Sequence, residues 1–176
     1  MIIAAASFLT LQTGLVAIAI STVDPVGDEP AEVALTVDGH AISRESVQRE
    51  LDALNEHPAY LGLLAPSTTR AWVTEVIRGE IAQQLIDKGN LDVTESDRAN
   101  ARARAQEEFR GSASFAELEP WLQRRLMRRY ARIAAAERIY GADDFERIVA
   151  ATDIHVDSAY GRWVARNGRG ALEESP

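Results

Sequence analysis

A short alternation of apolar and polar residues opens the patterned part of the chain. Over 33–38 the apolar side chains recur at every second position, which is typical of a half-buried strand. Asp38 and Gly39 then predict a tight turn, because both residues tolerate a positive φ. After a short polar step, Ser43 is a good N-cap for a helix over 44–55. That helix carries three apolar residues on one face, namely Val47, Leu51 and Leu54.

Longer segments with helical periodicity follow this opening unit. The first predicted helix of this group runs from Ser67 to Lys88. Its apolar residues cover most of its circumference, which is typical of a helix at the centre of a domain. Gly79 in its middle disfavours a helix, so we expect it to permit the close approach of another helix. A second helix, over 95–109, has few large apolar residues and should be lightly packed. A third is predicted over 120–140, and 143–151 adds one or two further turns.

The helix predicted over 120–140 divides its side chains between two faces. Its apolar stripe contains Leu122, Leu126, Tyr130, Ile133 and Tyr140. Three arginines, Arg124, Arg128 and Arg132, stack on the far side at i, i+4 spacing, which we interpret as a solvated face. Arg129 falls within the apolar stripe instead. It snorkels, pairs with a carboxylate from another element, or meets a carboxylate on a bound peptide, and these three interpretations stay open.

The ends of the chain differ from its middle. Residues 1–23 contain no charged side chain, and a membrane-spanning helix needs roughly 20 such residues. We interpret this segment as a signal peptide or a membrane anchor, with a buried core helix as the alternative. The acidic, proline-containing residues 24–32 predict a linker. The folded domain is expected over 33–164 and includes a strand near 154–157, whereas 165–176 predicts a disordered, frayed tail.

Two stretches of the chain resemble a known family. The first is VALTVDGHAISRESV, residues 33–47, and the second is IHVDSAYGRW, residues 154–163. Together they resemble the SurA-type N-terminal chaperone domain of SurA/PpiC/PrsA-like extracytoplasmic chaperones. The second stretch is similar to actinobacterial members, with Ser158 and Ala159 in place of their Pro-Arg pair.

That resemblance implies a fold and a function. The fold is mostly α, a helical SurA-N-like domain in which a small two-stranded β ribbon joins the N- and C-terminal ends. The activity implied is ATP-independent binding of polypeptides outside the cytoplasm. The family's isomerase activity belongs to a separate parvulin domain, and only helical patterns lie between residue 88 and the final strand. We therefore expect the chaperone module without peptidyl-prolyl isomerase activity, and no enzyme.

Charge and composition narrow the chemistry. The net charge is −8, yet the stretch from Arg98 to Arg138 contains ten arginines and only five glutamates. The overall negative charge disfavours nucleic acid as a partner. No cysteine is present, which excludes disulfides and thiolate chemistry. The histidines are His40, His57 and His155, and no third ligand accompanies them, so no metal site, cofactor or catalytic residue is predicted.

Five residues are candidates for peptide binding: Trp72, Trp121, Leu126, Arg129 and Tyr130. Aromatic residues on helix faces belong either to the core or to a ligand platform. An incompletely closed helical cradle, as the resemblance implies, would leave apolar patches that bind unfolded chains. Among the tryptophans, Trp121 is the one that we expect to be exposed.

The sequence therefore favours one function and leaves others open. The favoured function is that of an exported or membrane-tethered chaperone-like protein, which binds unfolded or nascent secreted polypeptides and contacts the membrane through its N-terminal apolar segment. The alternative is a structural or adaptor module that holds one folded partner in a cell-envelope complex, and a homodimer through helix 120–140 is one arrangement for it. The third is a degenerate subunit of a prolyl isomerase supplied in trans.

Overall fold

The structure, a computed structural model, describes residues 32–56, 66–109 and 115–175. The predictions for residues 1–23 and for most of the linker lie outside these residues. Helices dominate the described part, which confirms the mostly α class. The helices are α1 (Arg44–Asn55), α2 (Pro66–Gly89), α3 (Glu95–Glu108), α4 (Pro120–Tyr140) and α5 (Ala142–Ala151). The strands are β1 (Val33–Val37), β2 (His40–Ser43), β3 (Ile154–Val156), β4 (Arg162–Arg166) and β5 (Arg169–Glu173).

Local side-chain bonds fix where the helices begin. Ser43 caps α1, because its hydroxyl accepts a hydrogen bond of 3.2 Å from the backbone N–H of Ser46. Thr94 and Asp97 form a reciprocal capping box at the start of α3. Because these capping residues are recognisable in the sequence, the starts of α1 and α3 were predicted to within a residue or two.

The first sheet joins distant parts of the chain. β1 pairs antiparallel with β3, with Leu35 opposite Val156, which confirms the predicted ribbon. The sheet has a third strand, since β2 folds back on β1 through the turn at Asp38 and Gly39, both with positive φ. The polar step predicted between this turn and α1 is therefore strand β2.

The last residues form a second sheet, so the prediction of a disordered tail over 165–176 is wrong. β4 and β5 pair as a hairpin around Asn167 and Gly168, which have φ values of 53° and 73°. An Asn-Gly pair is a strong hairpin signal, because both central residues of such a turn need a positive φ. Leu172 of β5 is buried, and its backbone N–H donates a 3.3 Å hydrogen bond to Thr74 Oγ1 of α2. The domain boundary thus lies beyond residue 164.

The core lies around α2 and α4. α4 packs against α2, α3 and α5, so the domain itself covers its apolar stripe. Among the large fully buried side chains are Leu35, Val47, Val73, Ile77, Leu122, Leu126, Tyr130, Ile133, Phe145 and Val149. Within the described ranges, none of the helices combines the length and the apolarity that crossing a membrane requires.

Candidate functional site

The structure places four of the five predicted peptide-binding residues in the core. Trp72, Leu126, Arg129 and Tyr130 are each at most 6% exposed, which contradicts the prediction that they form an open surface. Side chains of neighbouring helices in the same domain cover them. Trp121 lines a cavity beside α1 but is half-buried and packs against the core, as Trp163 also does, so the prediction that it is the exposed tryptophan is not confirmed.

A buried charge cluster explains two of these residues. Glu50 of α1 is fully buried, and its Oε1 and Oε2 accept bonds of 2.8 and 2.7 Å from Arg129 Nη2. Trp72 Nε1 donates a 3.0 Å bond to Oε2, and Arg125 Nε contacts Oε1. The Arg129 guanidinium also lies 5.5 Å from the centre of the Trp72 ring. We call Glu50, Trp72, Arg125 and Arg129 the Glu50 cluster. Of the three interpretations of Arg129, pairing with a carboxylate from another element is confirmed.

Gly79 makes room for this cluster. A Cβ atom at that position would lie 2.5 Å from Arg129 Cγ, well inside van der Waals contact. The predicted close approach of another helix is therefore confirmed, and the approaching helix is α4. The cluster contains two guanidinium groups and one carboxylate, and Arg129 Nη1 is buried without an acceptor among the described residues.

Tyr130 belongs to a second contact, between α4 and α3. Its hydroxyl donates a 2.6 Å hydrogen bond to Glu108 Oε2, and Arg104 lies 5.1 Å from the ring centre. Burial, together with the negative charge of Glu108, raises the pKa of Tyr130 far above its ordinary value. The phenol therefore keeps its proton at neutral pH and acts as a fixed donor between the helices.

A groove between α3 and α4 is open to solvent and rich in arginine. We call it the α3–α4 groove; its volume is about 470 Å³. Its apolar lining consists of Val93, Met127 and Ala131, and its charged lining of Arg98, Arg102, Arg128 and Arg132. No carboxylate is among these lining residues. This combination of an apolar floor and cationic sides suits a ligand that is both apolar and anionic.

The four arginines of the groove are not equivalent. Arg98 and Arg102 both bond to Glu95, at 3.4 and 2.9 Å, so their charge is partly compensated. Arg128 and Arg132 make no ion pair within the part of the chain that the structure describes. Burial, together with the nearby Arg128 guanidinium, lowers the pKa of Arg132. The positive charge left uncompensated is thus concentrated on α4.

The sequence pattern of α4 does indicate an amphipathic edge at this groove, although we interpreted its arginines as a solvated face. Arg128 and Arg132 form one i, i+4 row along α4, and Met127 and Ala131 form a parallel row beside it. Two adjacent rows, one cationic and one apolar, mark an amphipathic helix edge. Its use as a groove depends on the position of α3, which the spacing does not give.

Metal-ligating residues are not grouped in the described ranges: no three of His, Cys, Asp and Glu lie close enough there to hold an ion. His40 and His155 flank β1 from opposite sides, opposite Val37 and Thr36 respectively.

Comparison of the chain with protein families, with curated proteins and with solved structures finds no match.

Proposed function

We propose that this chain is a non-enzymatic binding protein of the adaptor type, which holds an acidic, amphipathic polypeptide segment in the α3–α4 groove. The observation that carries the proposal is the lining of that groove, with an apolar floor, four arginines and no carboxylate. Guanidinium groups bind carboxylates through two parallel hydrogen bonds, and apolar side chains of the same ligand would cover the floor.

Charge complementarity selects an anionic ligand. Arg128 and Arg132 carry charge that the described residues do not compensate by an ion pair. A carboxylate placed between them would offset their mutual repulsion and would raise the lowered pKa of Arg132. A cationic or purely apolar ligand would leave both guanidinium groups unpaired, and a basic segment would be repelled.

An adaptor is favoured over a general holdase by the small amount of exposed apolar surface. The large hydrophobic side chains that are exposed in the described ranges are Val33 and Ile139. Binding of many unrelated unfolded chains needs a broad apolar patch, whereas a specific acidic segment needs only a short groove. The resemblance to SurA-type domains supports the chaperone-like role, which we keep as the second proposal.

Fluorescence anisotropy tests the adaptor proposal directly. The probe is a labelled amphipathic peptide with leucine along one helical face and glutamate at its other positions. We expect the Arg128→Gln/Arg132→Gln double variant to weaken binding by about a hundredfold or more, since two charged hydrogen bonds are lost, each worth about 1.5–3 kcal/mol. Added salt should weaken binding as well.

Two controls make the anisotropy experiment specific. Arg124→Gln removes a charge from the same helix outside the groove lining, and it should leave affinity within about twofold. Met127→Glu places a carboxylate on the groove floor and should abolish binding. Equal loss in Arg124→Gln and Arg128→Gln, or tighter binding of a peptide with lysine in place of glutamate, would refute the adaptor proposal.

The chaperone-like proposal has a separate test. A holdase would suppress the aggregation of several unrelated unfolded proteins at stoichiometric concentration, and Trp121→Ala would weaken that protection. We further propose an extracytoplasmic location for the protein, directed by the apolar residues 1–23. Cell fractionation of the full chain and of a chain without residues 1–23 tests this location, and recovery of both in the cytosol would contradict it.

A further inference from the structure

A second cavity lies on the other side of the Arg128–Arg132 row. It has a volume of about 270 Å³ and lies between α2 and α4, with Ile42 of β2 at its edge. We call it the α2–α4 pocket. Four arginines line it, Arg125, Arg128, Arg129 and Arg132, together with Val76, Gly79 and a single acidic residue, Glu80.

Arg129 lines this pocket, and one of its donors has no acceptor among the described residues. Arg129 Nη2 bonds to Glu50, but Arg129 Nη1 is buried and finds no hydrogen-bond partner among the described residues. The side chain of Arg129 is 7% exposed, so its guanidinium has little access to bulk water. A buried donor without an acceptor costs free energy, and a ligand oxygen would remove that cost.

The charges at this pocket are unbalanced. Glu50 is already shared by Arg125 and Arg129. Asp87 and Glu80 attract the Arg132 guanidinium from a distance, but Glu80 Oε1 accepts a 3.2 Å bond from Gln84 and lies 3.9 Å from His40 Nδ1. Neither Arg128 nor Arg132 therefore forms a direct ion pair in the part of the chain described.

We infer that the α2–α4 pocket binds one oxyanion, a phosphate or a carboxylate group, between Arg128, Arg129 and Arg132. Guanidinium forks match the oxygen spacing of both groups, and the cavity is small enough to select a compact anion. Gly79 contributes by leaving room for the Arg129 side chain, whose Cγ lies 2.5 Å from where a Cβ atom would be. The pocket shares Arg128 and Arg132 with the α3–α4 groove, whereas Gly79, Glu80 and Arg129 line the pocket alone. Oxyanion binding here does not require that the groove bind a peptide.

Isothermal titration calorimetry of the full chain tests the inference. Sodium phosphate and sodium acetate are titrated separately, each against sodium chloride at matched ionic strength. We expect one site that prefers either phosphate or acetate over chloride, and the preferred anion distinguishes a phosphate ligand from a carboxylate ligand. Heats that do not exceed those of chloride for both anions would overturn the inference.

Variants that leave the Glu50 cluster intact locate the site. Glu80 lines this pocket and not the groove, so Glu80→Gln should tighten oxyanion binding by roughly threefold to tenfold, because one repelling charge is removed. Arg132→Gln should weaken it by about tenfold or more. Arg124→Gln, which changes net charge outside the pocket, should have no effect beyond about twofold. Weaker binding in Glu80→Gln, or equal losses in Arg124→Gln and Arg132→Gln, would overturn the assignment.

Discussion

Three arginines of α4 are paired with buried carboxylates of other helices, whereas three others make no ion pair with the described residues. Arg125 and Arg129 share the buried Glu50, and Arg138 Nε donates a 2.9 Å bond to Asp97. The unpaired arginines are Arg124, Arg128 and Arg132. One helix therefore contains both structural arginines and arginines that are free to meet a ligand.

The two groups of arginines differ in the carboxylates that the neighbouring helices supply. α1 supplies Glu50 and α3 supplies Asp97, so the arginines that bond to these carboxylates contribute to the free energy of folding. A buried ion pair adds little net stability but is costly to break, because the remaining charge is left without a partner. An exposed arginine costs little to keep and little to remove. Stability and binding should therefore respond to different arginines of the same helix.

The largest effect is expected from Glu50→Ala. This change leaves Arg125 and Arg129 without their carboxylate, and it should lower the free energy of unfolding by about 3–5 kcal/mol. Denaturant unfolding followed by circular dichroism measures the change. Glu45→Ala on the same helix removes an exposed pair with Arg49 and a first-turn carboxylate, and it should cost less than about 1 kcal/mol. Equal effects of the two variants would contradict the structural role of the Glu50 cluster.

A smaller, pH-dependent effect is expected from Asp97→Asn. Burial opposes ionisation of Asp97, but hydrogen bonds from Arg138 and Thr94 outweigh it and lower the pKa below its ordinary 3.8. The charged form stabilises the fold, so the loss in the variant should be full above pH 3.8 and should disappear as the pH falls through the lowered pKa.

The loss in Asp97→Asn should be less than half of that in Glu50→Ala, because Arg138 is partly exposed and solvent screens the pair. Melting temperatures of wild type and variant, measured from neutral pH to pH 2, test the trend. Asp92→Asn is the matched control, since no hydrogen bond or ion pair of the Asp92 side chain occurs within the described ranges. A stability difference that grows on acidification would contradict the assignment.

The smallest effect on stability is expected at the unpaired, exposed arginines of α4. Arg124→Gln and Arg128→Gln should each change the free energy of unfolding by no more than about 0.5 kcal/mol. Arg128→Gln should nevertheless weaken binding of the acidic peptide, whereas Arg124→Gln should not. A loss of stability in Arg128→Gln comparable to that in Glu50→Ala would mean that Arg128 is a structural arginine as well.

The helices could be predicted because their signals are local. Ser43, Thr94 and Asp97 cap helices through residues no more than three positions away, and such spacing is visible in the chain itself. The hairpin was predictable too, from Asn167 and Gly168, although the polar composition around this pair favoured a frayed end. The polar composition of this stretch was misleading, because the burial of Gly170 and Leu172 is enough for β5 to pack against α2 and α5.

The candidate site could be predicted only in part. Arg129 pairs with Glu50 across 79 positions, and no periodicity within α4 identifies that partner. Trp72 and Tyr130 resembled ligand platforms because their own partners, Glu50 and Glu108, lie on other helices. The i, i+4 rows of α4 that contain Arg128 and Met127 were visible in the sequence. The groove itself could not be predicted, because its opposite wall is formed by α3. Contacts between residues far apart in the sequence decide whether a side chain is buried or exposed, and these contacts cannot be read from a single sequence.

The contact of Gly79 with Arg129 also constrains how this sequence can diverge. Position 79 can become larger only if position 129 becomes smaller. Glu50 needs at least one of its two arginine partners, Arg125 and Arg129, to keep its buried charge paired. A relative that keeps the fold and has a larger residue at position 79 should therefore lack Arg129, and one that lacks both arginines should lack Glu50 as well. These linked positions give a criterion for recognising distant homologues whose overall sequence similarity is low.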